Sequence, residues 1–129
     1  MTMVEYNPSL SGKLKGSLML QFLDCIVNVK NDKLLDMVTN DIVYKFIGAD
    51  SFEGKDELKT FLAVREKSEN TQLYIKGALC SETEGCCWGK VKAWDEHDWV
   101  FSNIFTFRKT SEGNKVSSFT SFRIMASEL

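Results

Sequence analysis

The chain has few of the residues that most enzyme chemistry needs, and histidine is the clearest case. His97 is the only histidine among 129 residues, and it lies in the acidic stretch 95–98. Such a stretch between two strand-like runs is typical of a solvated hairpin turn. Exposure there excludes Ser-His-Asp and Cys-His catalysis, because both need a histidine walled in beside the nucleophile.

The chain also lacks a basic run and a long apolar segment. Its net charge is −2 and its basic residues are scattered, so we expect neither nucleic acid nor a membrane as partner. The most apolar stretch, residues 18–29, is interrupted by polar side chains and falls short of the ~20 residues that span a bilayer. No basic segment precedes an apolar run near residue 1, so we expect no signal peptide and a cytoplasmic location.

Cysteine is present without the spacing of a metal site. The four cysteines are Cys25, Cys80, Cys86 and Cys87. Structural zinc takes pairs two to four residues apart, whereas the adjacent Cys86 and Cys87 would point to opposite faces of a strand. We therefore expect reduced, partly buried thiols, no metal and no cofactor, with metal or redox chemistry as the alternative.

The hydrophobic pattern predicts helices first and strands afterwards. Leu14, Leu18, Phe22 and Ile26 recur at i, i+4 and predict a buried helix over residues 11–29. Asn31-Asp32 predicts the N-cap of a short helix, 33–38. A strand at 42–47, a turn at 48–51 and a helix from residue 55 to about 67 follow. Four further strands are predicted at 72–82, 86–94, 99–108 and 115–125.

This order predicts an α+β fold built as one domain over residues 1–129. Sequential hairpins favour a mostly antiparallel meander, and strands this long twist and curl. We therefore expect a curved sheet wrapped around the N-terminal helices, a cone with a central pocket.

The layout resembles the nuclear-transport-factor-2-like superfamily, which includes ketosteroid isomerases, SnoaL-like cyclases, scytalone dehydratase and limonene epoxide hydrolase. The residues that carry the resemblance are 41–46, then Phe52-Glu53-Gly54 opening a helix, Phe105-Thr106-Phe107, and 113–116 heading the last strand. The resemblance implies a cystatin-like cone, and a homodimer joined through the sheet.

The resemblance also indicates which catalytic groups of the ketosteroid isomerases have a counterpart in this sequence. The proton-abstracting Asp of the isomerases matches Phe46, which cannot move a proton. Their helical Tyr has no counterpart on the buried face of the first helix. Their second oxyanion donor matches Asn103, the sole polar residue on a strand face with Trp99, Phe101, Phe105 and Phe107. The catalytic residues are therefore unknown; Asp24 and Asp50 are possible acids, but we expect each of them to be a surface carboxylate.

The predicted ligand-binding residues line the cone: Tyr44, Phe46, Phe101, Asn103, Phe119, Ser121 and Arg123. Asn103 would bind a ligand carbonyl or hydroxyl, unless it bonds to a neighbouring side chain or a water. Tyr44 is a cavity hydroxyl or a core aromatic. Arg123 lies at the rim or over a dimer surface.

Three functions remain open on the sequence. The first is a pocket protein that binds a small, largely hydrophobic molecule. The second is an isomerase-, cyclase- or dehydratase-type enzyme with an unrecognised base. The third is a dimeric interaction module whose pocket is filled by its own side chains.

Overall fold

The computed structural model describes residues 3–8, 17–64, 71–92 and 98–126. Within these residues the chain forms three helices and seven strands. The helices are α1 (Leu18–Val27), α2 (Asn31–Asp36) and α3 (Lys55–Ala63). The strands are β1 (Met3–Tyr6), β2 (Val38–Phe46), β3 (Ser51–Glu53), β4 (Gln72–Cys80), β5 (Glu84–Lys92), β6 (Asp98–Thr110) and β7 (Gly113–Met125).

The strands form one sheet in the order β1-β4-β5-β6-β7-β2-β3. Strands β4 to β7 pair antiparallel in chain order, as the hairpin pattern predicted. Strand β2 joins β7 in parallel, and β1 joins β4 in parallel. The architecture is therefore α+β with a mostly antiparallel sheet, which confirms the predicted fold class.

Helix α1 packs on the face of the sheet that we call the inner face. Ser17 caps the helix, since its hydroxyl accepts a hydrogen bond from the Leu20 amide at 3.3 Å. Phe22 is fully buried and meets the rings of Phe105 and Phe119 at centroid distances of 5.6 and 5.2 Å. The i, i+4 stripe in the sequence is thus the side of α1 that covers the sheet. Leu14 of that stripe lies outside the described residues.

Two local predictions need correction. The predicted N-cap pair Asn31-Asp32 lies inside α2, whose N-cap is Lys30. The Asn31 amide donates instead to the Leu62 carbonyl at 3.0 Å, tying α2 to α3. Asn40 and Asp41 fall between the predicted helix 33–38 and the predicted strand 42–47, but they lie inside β2, because a shift in register between Val38 and Val43 accommodates them as a bulge.

The turn between β4 and β5 also differs from the prediction. The predicted strands 72–82 and 86–94 leave residues 83–85 for this turn, but Glu84 and Gly85 belong to β5. The Ser81 hydroxyl instead organises the turn by accepting from the Thr83 and Glu84 amides at 3.3 and 3.1 Å. Gly85 is packed closely, since a Cβ there would lie 3.0 Å from the Met19 sulfur and the methionine would have to shift.

Candidate functional site

The inner face carries a row of small and polar side chains across the sheet. Asn103 on β6 lies opposite Cys87 of β5 on one side and opposite Ser121 of β7 on the other. Ser121 in turn lies opposite Phe46 of β2. Asn103 and Ser121 are only 4% and 3% exposed, so polar groups occupy the interior of an otherwise apolar core.

Asn103 uses only part of the hydrogen-bonding capacity of its side-chain amide. Its Nδ2 donates to the Cys87 sulfur at 3.9 Å, a weak hydrogen bond. Its Oδ1 is buried and accepts a hydrogen bond from no residue that the structure describes. A buried acceptor without a partner costs about 1–3 kcal/mol. The amide oxygen therefore marks a place where a donor from outside the described residues would gain free energy.

Cys87 was expected to be a reduced, partly buried thiol; it is a free cysteine and is fully buried. Burial raises the pKa of the Cys87 thiol to about 12, and the hydrogen bond from Asn103 offsets only part of the effect. The side chain therefore stays a neutral thiol at physiological pH, unsuited to nucleophilic attack. What the sequence did not reveal is its position beside Asn103, which depends on the register between β5 and β6.

Aromatic rings fill the part of the interior next to this row. Tyr44 is fully buried and lies against Phe119, with ring centroids 4.9 Å apart, and against Phe46 at 5.2 Å. Phe52 and Phe61 stack at 4.4 Å beside them. Tyr44 is therefore a core aromatic in contact with both predicted wall residues.

Phe101 and Arg123 lie on the other side of the row. Phe101 is 3% exposed and lies opposite Arg123 in the pairing of β6 with β7. Residues opposite each other on paired strands share a face, so Arg123 is on the inner-face side. Its side chain is exposed. The structure thus places Arg123 at the rim of the inner face, next to a buried phenylalanine.

The possible acids do not reach this interior. Asp24 accepts hydrogen bonds from Asn28 and Lys30 at 2.7 and 2.8 Å. Partial burial raises the pKa of Asp24, but these bonds and the Lys30 charge outweigh it and leave the pKa lowered. Asp50 is exposed, as is every described Asp and Glu except Asp24. His97 lies outside the described residues, which contain no His, Cys, Asp or Glu group able to hold a metal ion.

Two sizeable clefts lie away from this row. A polar cleft of about 410 Å³ is lined in part by Asp41, Lys55 and Arg108, and the Arg108 guanidinium donates to both Asp41 oxygens at 2.9 and 3.1 Å. A more apolar cleft of about 510 Å³ lies between the β4–β5 turn and β6, lined in part by Leu79 and Ile104. None of the seven predicted site residues lines either cleft.

The opposite, outer face of the sheet exposes apolar side chains. Trp88, Ser102 and Phe122 lie in one cross-strand row, and Cys86 and Ile104 lie in the next. The large apolar residues exposed on this face are Leu79 at 65%, Trp88 at 38%, Ile104 at 46%, Phe122 at 39% and Ile124 at 41%. A contiguous apolar surface of this kind is uncommon on monomeric proteins and is often an interaction site.

Neither a protein-family model nor a curated protein matches the chain. Solved structures do. Nuclear transport factor 2 of Cryptosporidium parvum is 14% identical with a TM-score of 0.70, and the match covers 94% of this chain and 99% of that one. A ketosteroid isomerase-like protein of Erwinia carotovora atroseptica is 16% identical with a TM-score of 0.62 over 83% and 91% of the two chains.

The chain has the nuclear-transport-factor-2-like fold. The structure of the Orange Carotenoid Protein of Anabaena binding canthaxanthin also matches, with 17% identity and a TM-score of 0.66. The match covers 81% of this chain and 35% of that one. At these identities the comparisons establish the nuclear-transport-factor-2-like fold and nothing about function. Among the described residues no helix is long and apolar enough to cross a membrane.

Proposed function

We propose that this protein binds a small, largely hydrophobic molecule against the inner face of the sheet, with Asn103 orienting it. The observation that carries the proposal is the buried Asn103 oxygen, which has no partner among the described residues. A polar group kept in an apolar interior at a cost of about 1–3 kcal/mol needs a compensating role. A ligand that pairs with the amide supplies one.

The surroundings fit an apolar ligand with one polar group. Phe101 and Phe105 precede and follow Asn103 on the same face of β6. Phe119, Tyr44 and Phe46 extend the apolar wall, Ser121 offers a second polar atom, and Arg123 stands at the exposed rim. One protein of similar structure binds canthaxanthin, a carotenoid, and this supports an apolar ligand here.

Binding is better supported than proton-transfer catalysis. An isomerase-type reaction needs a base inside the pocket, whereas every described carboxylate except Asp24 is exposed and Asp24 is paired with Asn28 and Lys30. Phe46 occupies the position that the isomerase resemblance assigns to the base. The enzyme alternative would therefore need a base from outside the described residues.

The test is to locate where an apolar probe binds. Indane added to the isotope-labelled protein should shift the methyl and amide resonances of inner-face residues, including the Asn103 side-chain amide. An Asn103→Leu variant should still bind indane, because the hydrocarbon has no polar group to lose. Shifts confined to outer-face residues such as Trp88 and Ile104 would refute an interior site.

A second proposal concerns the outer face, where the exposed apolar residues favour a homodimer joined through the sheet. A charge at Ile104, which is 46% exposed, should be tolerated by the monomer and excluded by an apolar interface. Ile104→Glu should therefore convert a dimer to a monomer in sedimentation velocity. Val64→Glu is the matched control, since Val64 is 79% exposed at the end of α3 and away from the sheet. A monomeric wild type would refute the proposal.

A further inference from the structure

We propose that two copies of this chain pair across a two-fold axis that runs at right angles to strand β5, so that each β5 lies antiparallel on the β5 of the partner. The inference rests on the proposed homodimer and specifies its geometry. An interface between identical faces must be self-complementary, because a residue that meets a second residue on the partner is itself met by it. Two patterns on the outer face, one of charge and one of side-chain size, have this property.

The charge pattern lies along β5. Glu84, the first residue of β5, and Lys90 are on its outer face, on either side of Cys86 and Trp88. Glu84 and Lys90 are both exposed, and neither has an ion-pair partner among the residues that the structure describes. The strand between them spans about 20 Å, so the two charges cannot meet within one chain.

A reversed copy of β5 brings these two charges together. If the strands run antiparallel and cross at the level of Cys87, Glu84 of each chain faces Lys90 of the other, because both residues are three positions from Cys87. The axis thereby forms two identical ion pairs, one at each end of an apolar centre. Opposite charges placed in this way fix the register of an interface more than they add affinity.

The size pattern extends the same symmetry to the neighbouring strands. Cys87 lies in the row that continues through Asn103 and Ser121. On each of these three strands a large outer-face side chain lies on one side of the row and a smaller one on the other side. These pairs are Trp88 and Cys86 on β5, Ile104 and Ser102 on β6, and Phe122 and Thr120 on β7. The proposed axis places each large side chain against the smaller one of the partner strand, so the two faces interdigitate.

The apolar cleft of about 510 Å³ receives the central side chain in this arrangement. Leu79, Cys86 and Ile104 contribute to its lining. The axis places Trp88 of one copy opposite Cys86 of the other, at this cleft. Trp88 is 38% exposed in the single chain, and tryptophans that fill a central pocket are frequent hot spots of interfaces. The cleft is therefore a socket for a second copy.

A two-fold axis parallel to the strands is the other way to stack two such sheets, and the charges of β6 argue against it. That axis would place β5 on the partner's β6. Asp98 of β6 already lies directly opposite Lys92 in the sheet, and Arg108 of β6 donates to Asp41. The charges of β6 therefore have neighbours of opposite sign within their own chain, whereas the two β5 charges described above do not.

The test is a charge exchange followed by sedimentation velocity. Glu84→Lys and Lys90→Glu each place like charges opposite each other twice in the dimer, so each variant alone should raise the dimer dissociation constant roughly tenfold at low salt. An equimolar mixture of the two variants should form a heterodimer with an affinity close to that of the wild type, because every facing pair is again opposite in sign. The chain that carries both changes should dimerise like the wild type for the same reason.

The matched controls are Glu57→Lys and Lys59→Glu, which make the same exchanges at exposed positions of α3. Helix α3 lies on the inner side of the sheet, where its Phe61 meets Tyr44 with ring centroids 6.1 Å apart. These variants should leave the dimer dissociation constant unchanged, alone and mixed.

The outcomes separate the axis from the homodimer itself. If the wild type dimerises but neither the mixture nor the doubly changed chain recovers the affinity, the axis is wrong and the homodimer stands. The same holds if each single variant dimerises as the wild type does, because the β5 charges then lie outside the interface. A monomeric wild type would overturn the homodimer together with its geometry and leave the outer face to a different partner.

Discussion

Replacing Asn103 with leucine should stabilise the ligand-free protein, although most core substitutions destabilise. Leucine matches asparagine in branching and in number of heavy atoms, so the exchange requires little repacking. It removes the buried oxygen that has no partner among the described residues. It also replaces a residue that is poorly suited to strands with a better one.

The magnitude follows from three contributions. Removing an unpaired buried acceptor gains about 1–3 kcal/mol, and losing the weak Nδ2–sulfur bond costs about 0.5–1 kcal/mol. Added apolar burial contributes about 1 kcal/mol in the same direction as the first. We expect the free energy of unfolding to rise by about 1–3.5 kcal/mol, and Tm by about 4–13 °C. Urea denaturation followed by circular dichroism measures the change.

The matched control is Asn114→Leu, which should stay within about 0.5 kcal/mol of the wild type because its side chain is exposed. A loss of more than about 1 kcal/mol in the ligand-free Asn103→Leu variant would refute the reasoning. It would show that the oxygen is already paired in the free protein, for example with a buried water.

Two further predictions concern the scaffold and its surface. In Gly89→Ala, the new Cβ would overlap the Tyr74 carbonyl oxygen on β4. The free energy of unfolding, measured by urea denaturation, should therefore fall by about 2 kcal/mol or more. An unchanged urea midpoint would mean that β4 and β5 separate easily. In Arg108→Gln, the pKa of Asp41 should rise toward its ordinary value, because the Arg108 hydrogen bonds hold it below that value. Because the pKa of Asp41 is lower in the folded protein than in the unfolded chain, its ionised form stabilises the folded state at pH values above the ordinary aspartate pKa. This stabilisation is lost as the pH falls through the pKa of Asp41 in the folded protein. The variant's Asp41 should therefore titrate at higher pH by carboxyl NMR, and an unshifted titration would contradict the assignment.

The long elements were predictable because each carries its own pattern. The stripe in α1 and the runs that became β4 to β7 have the periods of a helix and of strands, and hairpin order gave the meander. Strands β1 and β3 were missed because they have four and three residues, too few for a period to show. They form only because β4 and β2 offer free edges, which is tertiary information.

The candidate site was predictable in part for the same reason. Asn103 is visible in the sequence as the one polar residue on an alternating apolar face. Its partner Cys87 is not visible, because register between strands decides which residue lies opposite. A slip of one residue would place Trp88 there instead and turn the face outward. The contact between the Asn103 amide and the Cys87 sulfur therefore depends on that register.

The surroundings of Asn103 decide which kinds of chemistry it could support. An oxyanion hole works by aiming hydrogen-bond donors at the oxygen where negative charge develops. One N–H group of the Asn103 amide donates to the Cys87 sulfur, and its oxygen has no partner among the described residues. The amide therefore still offers both a donor and an acceptor. Proton transfer beside it would also need a base, and every described carboxylate except the paired Asp24 is exposed.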